Sequence, residues 1–210
     1  MTDEWLRSVD DSSFRCWWPG DDQQYQEYHD VEWGRPVVED GRLFEKLCLE
    51  GFQAGLSWLT ILRKRENFRR GFHHFDIDTV SRFTTKDVDR LMNDAGIVRH
   101  RGKIEAVINN AQRAQVLLQE VESLSSYFWS FAPDNPFGRE ESSTHPSGVS
   151  STSPSATRLS KDLKKRGWKF VGPTTMYSFM QSMGLVNDHV NGCWVRDECE
   201  ELRVAVKRTQ

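Results

Sequence analysis

Apolar side chains recur three and four positions apart along most of the chain, which is the spacing of the buried face of an amphipathic helix. One such helix should begin near Asp40, a residue type that can cap a helix N-terminus. Its buried stripe consists of Leu43, Phe44, Leu47 and Cys48. Further helices are predicted from Ser57 to Phe68, around Val80, around Leu91, from Ile104 to Leu118 and from Leu124 to Phe131. Strand signals are absent, so the predicted fold class is mainly α.

Two more helices, joined by a glycine-bracketed turn, are predicted between Lys161 and Cys193. The first ends at Gly167, and the second begins at Pro173, where a missing N–H costs nothing. Free backbone N–H groups at Gly172 and beyond can bind a phosphate oxygen. Basic residues surround the turn: Lys161, Lys164, Lys165, Arg166 and Lys169. A simple turn on a solvated helix has the same residue types, and this alternative stays open.

Composition divides the chain into three parts. Residues 1–15 are polar and acidic without a sustained period, and are predicted to form a mobile N-terminal extension. Residues 16–195 are predicted to form a single helical domain with an exposed loop at about 132–157, rich in Ser, Pro, Gly and Thr. Residues 196–210 are predicted to be a C-terminal tail.

The overall composition is that of an ordinary globular protein: 210 residues, 37% hydrophobic and 28% charged. No apolar run approaches the roughly 20 residues of a membrane span. The N-terminus also lacks the basic and apolar regions of a signal peptide. We therefore expect no membrane partner and a cytoplasmic location. Four cysteines are too few for a disulfide scaffold at this length and are better explained as reduced thiols or metal ligands.

The net charge of −3 hides an uneven distribution of charge. Residues 1–50 hold 13 acidic and 5 basic side chains, whereas residues 51–210 hold 18 acidic and 23 basic ones. The basic residues are clustered at 63–70, at 99–103 and around the turn near Gly172. Such clusters could form a phosphate-binding face, although a single charged run is usually only a solvated helix surface.

Two cysteines and two histidines stand in pairs at opposite ends of the chain. Cys16 and His29 are 13 residues apart, and His189 and Cys193 are 4 apart. This is no standard zinc-finger spacing. Two thiolates and two imidazoles could nevertheless complete a tetrahedral zinc shell. Burial in the core remains the alternative explanation for these residues.

Four motifs stand in order between Cys16 and Cys193: YHDVEWG (28–34), CLEGFQAGLSW (48–58), NDAGIVRHRGKI (93–104) and KKRGWKFVGPTTMYSFMQSMGLVNDHVNGC (164–193). Together they resemble the 3-methyladenine DNA glycosylase I family. The resemblance implies a helix-hairpin-helix glycosylase fold. It also implies one structural zinc ion joining the N- and C-terminal segments, with ligands Cys16, His29, His189 and Cys193.

The resemblance further implies a pocket for the damaged base. Its residues would be Trp18, Tyr25, Tyr28, Glu50, Trp58 and Ser178, with Glu50 and Tyr28 in catalytic roles. A 3-methylated adenine is cationic, so its bond to deoxyribose is already weakened. Aromatic faces attract such a cation, and a buried carboxylate can accept its N–H groups. Contacts to DNA are predicted for a wedge residue, Leu56, and for Lys164, Lys165, Lys169 and Gly172.

The implied activity is hydrolysis of the N-glycosidic bond of 3-methyladenine in alkylated double-stranded DNA. A monomer would flip the base out of the duplex and release free 3-methyladenine. The second helix of the turn begins Pro173-Thr174-Thr175-Met176, without the lysine that strand-nicking relatives use as a nucleophile. A monofunctional enzyme without lyase activity is therefore predicted. Asp188 is predicted to be a structural group beside the ligand His189.

Two other functional classes stay open at this point. The first is a non-catalytic, zinc-stabilised protein that binds DNA or senses alkylation adducts. The second is a zinc hydrolase or deaminase. Four protein ligands would close the metal shell, and the deaminase motifs His-x-Glu and Pro-Cys-x-x-Cys are missing, so the second class is disfavoured.

Overall fold

The computed structural model describes residues 4–134 and 151–209, which contain ten α-helices and two short strands. The strands are β1 (Leu6–Ser8) and β2 (Phe14–Cys16). The first five helices are α1 (Gln23–Val31), α2 (Asp40–Gln53), α3 (Trp58–Gly71), α4 (Ile77–Ser81) and α5 (Thr85–Met92). The others are α6 (Arg101–Leu117), α7 (Leu124–Trp129), α8 (Pro154–Lys165), α9 (Pro173–Ser182) and α10 (Arg196–Lys207). The prediction of a mainly α fold is confirmed. Across these residues, no helix combines the length and apolar character that crossing a membrane requires.

Helix α2 lies at the centre of the fold, where it packs against α3, α6, α7 and α9. Its predicted apolar stripe is buried. Phe52, in its last turn, packs against Phe68 and Phe72 from α3 and its end. Burial of each such side chain contributes roughly 1.5–3 kcal/mol to folding. The last turn of α2 is therefore held firmly, and it carries Glu50.

The start of α2 differs from the prediction. The N-cap position is Glu39, and Asp40 is the first helical residue. The Asp40 carboxylate instead accepts hydrogen bonds from the backbone N–H groups of Leu124 and Ser125, at 3.0 and 2.8 Å. Asp40 thus stabilises the start of α7, a contact that local sequence cannot reveal. Ser57 caps α3 as predicted.

The predicted pair of helices around a turn is present as α8 and α9, which pack against each other. Gly167 follows α8 with a φ of +84°, a conformation that favours glycine. Asn110 on α6 anchors the turn: its side chain donates to the Lys169 carbonyl at 2.9 Å and accepts from the Lys169 N–H at 2.8 Å. Gly172 is the N-cap of α9 and Pro173 its first residue.

The N-terminal segment contains regular structure where an irregular extension and no strands were predicted. Strands β1 and β2 pair antiparallel, with Leu6 opposite Cys16. Between them, the Asp10 carboxylate accepts from the backbone N–H groups of Ser12 and Ser13, both at 2.8 Å, which fixes the turn. Strands of three residues are too short to display an alternating pattern, so no strand was predicted here.

The C-terminal segment is also regular, since the predicted tail forms α10 from residue 196 to residue 207. Its Cys199 and Arg203 are buried, and the Arg203 guanidinium pairs with Glu200 at 2.8 Å. An arginine in a buried stripe breaks the apolar pattern that would have predicted this helix. The predicted loop ends earlier than expected, because α8 begins at Pro154. Residues 135–150 of that loop lie outside the described residues.

Candidate active site and metal centre

A cavity of about 270 Å³ opens beside the last turn of α2. It is lined by Trp17, Trp18, Tyr25, Tyr28, Trp33, Glu50, Gln53, Trp58, Ser178, Gln181, Asp188 and Val190. All six residues predicted for the base pocket are among them. The lining comes from α1, α2, α3 and α9 and from the segments before α1, between α1 and α2, and after α9. The cavity therefore forms only when both ends of the chain meet.

Half of the residues that line the cavity are aromatic. Trp18 lies edge-on to Tyr25, with ring centroids 4.8 Å apart, and Tyr25 stacks with Tyr28 at 6.3 Å. The ring centroid of Trp58 lies 5.4 Å from that of Tyr28. Burial raises the pKa of Tyr25 to about 12 and that of Tyr28 well above its ordinary value, and the nearby Glu50 carboxylate adds to both shifts. Both phenols therefore stay protonated at neutral pH and can donate hydrogen bonds.

Glu50 supplies a buried carboxylate to this aromatic cavity; only 4% of the residue is exposed. It forms an ion pair with Lys46, one helical turn earlier, with 2.8 Å between Lys46 Nζ and Glu50 Oε1. The same ammonium donates to the Tyr28 hydroxyl at 2.9 Å and lies 3.1 Å from the centroid of the Trp58 ring. Burial lowers the pKa of Lys46 to about 8, while Glu50 acts in the opposite direction.

Sequence reasoning missed Lys46. Its spacing of four residues from Glu50 was the available signal, since residues at i and i+4 share a helix face. The adjoining apolar stripe suggested that this face is buried.

Asp188 also lines the cavity and is 7% exposed. Its Oδ2 accepts hydrogen bonds from the Tyr177 hydroxyl at 2.5 Å and from Gln181 Nε2 at 2.7 Å. Asp188 precedes His189 in the chain, and the His189 ring donates from Nδ1 to Asn187 Oδ1 at 3.0 Å. Asp188 therefore belongs to the cavity wall.

The two ends of the chain bring three candidate metal ligands together. One ligand atom from each of Cys16, His29 and Cys193 lies within 4.8 Å of the others, and all three residues are buried. His29 Nε2 is 3.6 Å from Cys193 Sγ. The Asp30 carboxylate contacts His29 Nδ1 at 2.8 Å, which leaves Nε2 facing the thiols. A hydrogen bond from Cys16 and the nearby His29 lower the pKa of Cys193 to about 5, and the same pairing raises that of Cys16.

His189, the fourth predicted ligand, lies beside this cluster. Its ring centroid is 5.1 Å from that of His29, and it is 1% exposed. Its Nε2 is buried without a hydrogen-bond partner among the described residues. Burial and the neighbouring His29 hold the pKa of His189 well below its ordinary value, so the ring is neutral. A neutral imidazole with an unpaired nitrogen, next to two thiols and a second imidazole, fits a tetrahedral zinc site.

The residues predicted to contact DNA lie on two surface segments outside the cavity lining. Leu56, 39% exposed, lies in the turn between α2 and α3, where its carbonyl accepts from Gln53 Nε2 at 2.7 Å. Lys103 supports the same turn by donating to the carbonyls of Phe52 and Ala54. Three predicted contacts on α8 and the following turn are exposed: Lys164, Lys165 and Lys169.

Comparison with known proteins identifies the family. The sequence model described as methyladenine glycosylase matches residues 18–197. DNA-3-methyladenine glycosylase 1 of Escherichia coli (strain K12) is 50% identical over 179 residues, covering 85% of this chain and 95% of that protein. DNA-3-methyladenine glycosylase of Haemophilus influenzae (strain ATCC 51907 / DSM 11121 / KW20 / Rd) is 45% identical over 179 residues, covering 85% of this chain and 96% of that protein.

Solved structures agree with these sequence matches. A crystal structure of 3-methyladenine DNA glycosylase I superimposes with a TM-score of 0.80 at 47% identity, covering 86% of this chain and 98% of that one. The structure of 3-methyladenine DNA glycosylase I from Staphylococcus aureus superimposes with a TM-score of 0.80 at 40% identity, covering 87% of this chain and 96% of that one. The chain therefore belongs to the methyladenine glycosylase family, which confirms the expectation that it is a glycosylase.

Proposed function

We propose that this protein removes 3-methyladenine from alkylated double-stranded DNA by hydrolysing the N-glycosidic bond of a base flipped into the cavity. The observation that carries this proposal is the buried carboxylate of Glu50 inside an aromatic cavity. A cationic purine matches that chemistry, because π faces and a carboxylate both attract positive charge. One solved relative, 39% identical, is described as a complex with 3-methyladenine.

The cavity residues would act by gripping and orienting the leaving base. Tyr28 and Trp58 offer ring faces, and Glu50 can accept hydrogen bonds from the N–H groups of the base. As the bond between C1′ and N9 breaks, its electron pair passes to the purine, which loses its positive charge, and water adds to C1′ and gives up a proton. Because the methylated base is already a good leaving group, these residues need not include a strong acid.

We further propose that the enzyme is monofunctional. A lyase needs an amine that can attack C1′, and the lining of the cavity includes no lysine in the part of the chain that the structure describes. Lys46 is close to Glu50 but pairs with it outside that lining. The expected products are free 3-methyladenine and an intact strand with an abasic site. As the sequence predicts, we expect a monomer located in the cytoplasm.

Zinc is proposed as a structural cofactor. Cys16, His29, His189 and Cys193 would hold it, as the unpaired His189 nitrogen and the three clustered ligand atoms suggest. Bound there, the ion would supply a cross-link between the two ends of the chain. Four protein ligands leave no position for a substrate, so this centre does not suit a zinc hydrolase or deaminase.

DNA would be held by the two surface segments that carry Leu56 and the lysines of α8 and its following turn. The N–H groups at Gly172 and the start of α9 can bind one phosphate, with Lys164, Lys165 and Lys169 adding attraction that is independent of sequence. Leu56, exposed on the turn that follows α2, is the residue proposed to fill the space left by the flipped base.

Single-turnover base release from methylated duplex DNA tests the proposed function. The native protein should release 3-methyladenine, and a strand-break gel should show no nicking. Glu50→Gln should slow release by roughly ten-fold or more, since it removes the charge that matches the base. Asp188→Asn should cost less, once each rate is referred to the stability of its variant. A native protein that binds DNA but releases no base would instead support the non-catalytic alternative.

A further inference from the structure

Lys46 stands behind the cavity wall, on the side opposite to the proposed base. Besides the base cavity, the structure contains a second cavity of about 310 Å³. Tyr28 and Trp58 line both cavities, whereas Lys46 lines only the second and Glu50 only the first. The Lys46 ammonium therefore reaches Glu50, Tyr28 and Trp58 from the rear, without facing the space where a base would lie.

The Lys46 ammonium makes short contacts with three residues of the proposed base pocket. A lysine has three N–H donors and no acceptor. Its three short contacts are Glu50 Oε1 at 2.8 Å, the Tyr28 hydroxyl at 2.9 Å and the Trp58 ring at 3.1 Å from the centroid. Helices α1, α2 and α3 contribute one residue each to this set. One buried cation thus connects three of the helices that form the pocket.

We infer that Lys46 is a positioning residue for base recognition, which fixes the Glu50 carboxylate and the Tyr28 hydroxyl in the orientations that bind the damaged base. This inference rests on the proposed function. With Oε1 held by Lys46, Oε2 of Glu50 is left for the N–H groups of the base. Because the Tyr28 oxygen accepts a hydrogen bond from Lys46, its own O–H hydrogen is free to be donated toward an acceptor nitrogen of the purine.

Charge gives Lys46 a second effect on the same site. A buried carboxylate without a partner is costly, and the ammonium supplies that partner. Burial and Arg65 lower the pKa of the Lys46 ammonium, while Glu50 and Glu32 raise it. The resulting pKa is about 8. The other charged groups lining the second cavity are Arg35, Arg42, Glu45 and Arg69. Lys46 should therefore lose its positive charge in a pH range that is accessible to activity measurements.

The test uses Lys46→Met, which keeps the length and apolar stem of the side chain but removes its donors and charge. Single-turnover base release should fall about ten-fold or more at neutral pH, as expected for the loss of charge-assisted hydrogen bonds, while affinity for methylated duplex stays within about two-fold. In the native protein the rate should decrease as pH rises through about 8. The Lys46→Met rate should lack this decrease.

Two further variants separate positioning from a purely structural role. Arg203→Met removes another buried cation paired with a carboxylate on its own helix, and should lower stability without changing the pH profile of base release.

If Lys46 acts through Glu50, the double variant Lys46→Met with Glu50→Gln should lose much less activity than the two single losses predict together. Full additivity, a native rate and pH profile in Lys46→Met, or a loss explained by stability alone would each overturn the inference. A native protein that releases no base would instead refute the proposed function itself.

Discussion

Gly34 shows how one missing side chain shapes the candidate metal centre. Its φ is +80°, and a Cβ placed on it would overlap with Cε1 of His189. The imidazole therefore occupies the space that any other residue would fill with its own side chain. The close approach of the YHDVEWG motif to His189 depends on the glycine that ends this motif.

Gly34→Ala should consequently lower both stability and zinc content. The left-handed backbone costs alanine about 1–2 kcal/mol, and displacing His189 adds roughly 1–3 kcal/mol. Gly20→Ala is the matched control, because Gly20 also has a positive φ, +57°, but nothing lies within 4 Å of an added Cβ. Urea unfolding and elemental analysis of both variants measure the difference. Equal losses in the two variants would contradict the role given to His189.

At the scale of elements, the turn between α8 and α9 is the proposed phosphate-binding site. Its geometry is set by α6. The two hydrogen bonds between Asn110 and the backbone of Lys169 fix the turn. Lys164 and Lys165 lie in the last turn of α8, shortly before this turn. If this turn binds phosphate as proposed, it should bind any duplex, because phosphates carry no sequence information.

Changing Lys164, Lys165 and Lys169 together to Gln should weaken binding to all duplexes to a similar degree. It should also reduce the slope of log affinity against log salt by up to roughly three units, since each phosphate contact contributes about 0.9. The control with the same change in net charge replaces the exposed Arg82, Lys86 and Arg208 with Gln. Titrations over a range of salt concentrations compare the two. If the control flattens the slope as much as the α8 variant, the DNA face lies elsewhere.

The same elements show what sequence can and cannot predict. Helix α2 was predicted because its apolar stripe repeats at the helical period, and the turn at Gly167 because glycine and proline have fixed conformational preferences. The burial of Lys46 was not predicted, because it depends on the packing of α1 and α3 against α2. The residues of the cavity came from the resemblance to a family; their spacing along the chain, from position 18 to position 178, carries no periodic signal.

At the scale of the whole molecule, the candidate metal centre is where the two ends of the chain meet. Phe14 forms a backbone bridge with Cys193. Arg35 pairs with Glu198 of α10 at 2.9 Å. The cavity uses the same junction, since Trp18 precedes α1 and Asp188 follows α9. Loss of the junction should therefore open the base pocket as well as destabilise the fold.

Removal of zinc is the direct test of this dependence. The freshly purified protein should contain one zinc ion per chain, and a chelator should lower its melting temperature, because metal-binding free energy at such a site is folding free energy, about 10–16 kcal/mol in small zinc peptides. Cys16→Ala should be less stable and should no longer respond to the chelator.

Cys48→Ala is the control. Cys48 is equally buried but packs in the core stripe of α2, so this variant should lose stability and keep the full response to the chelator. Melting curves with and without chelator, together with metal analysis, measure these effects. Folded native protein that contains no zinc and melts at the same temperature with chelator would refute the metal centre, and the junction would then rest on the direct contacts between the two ends of the chain.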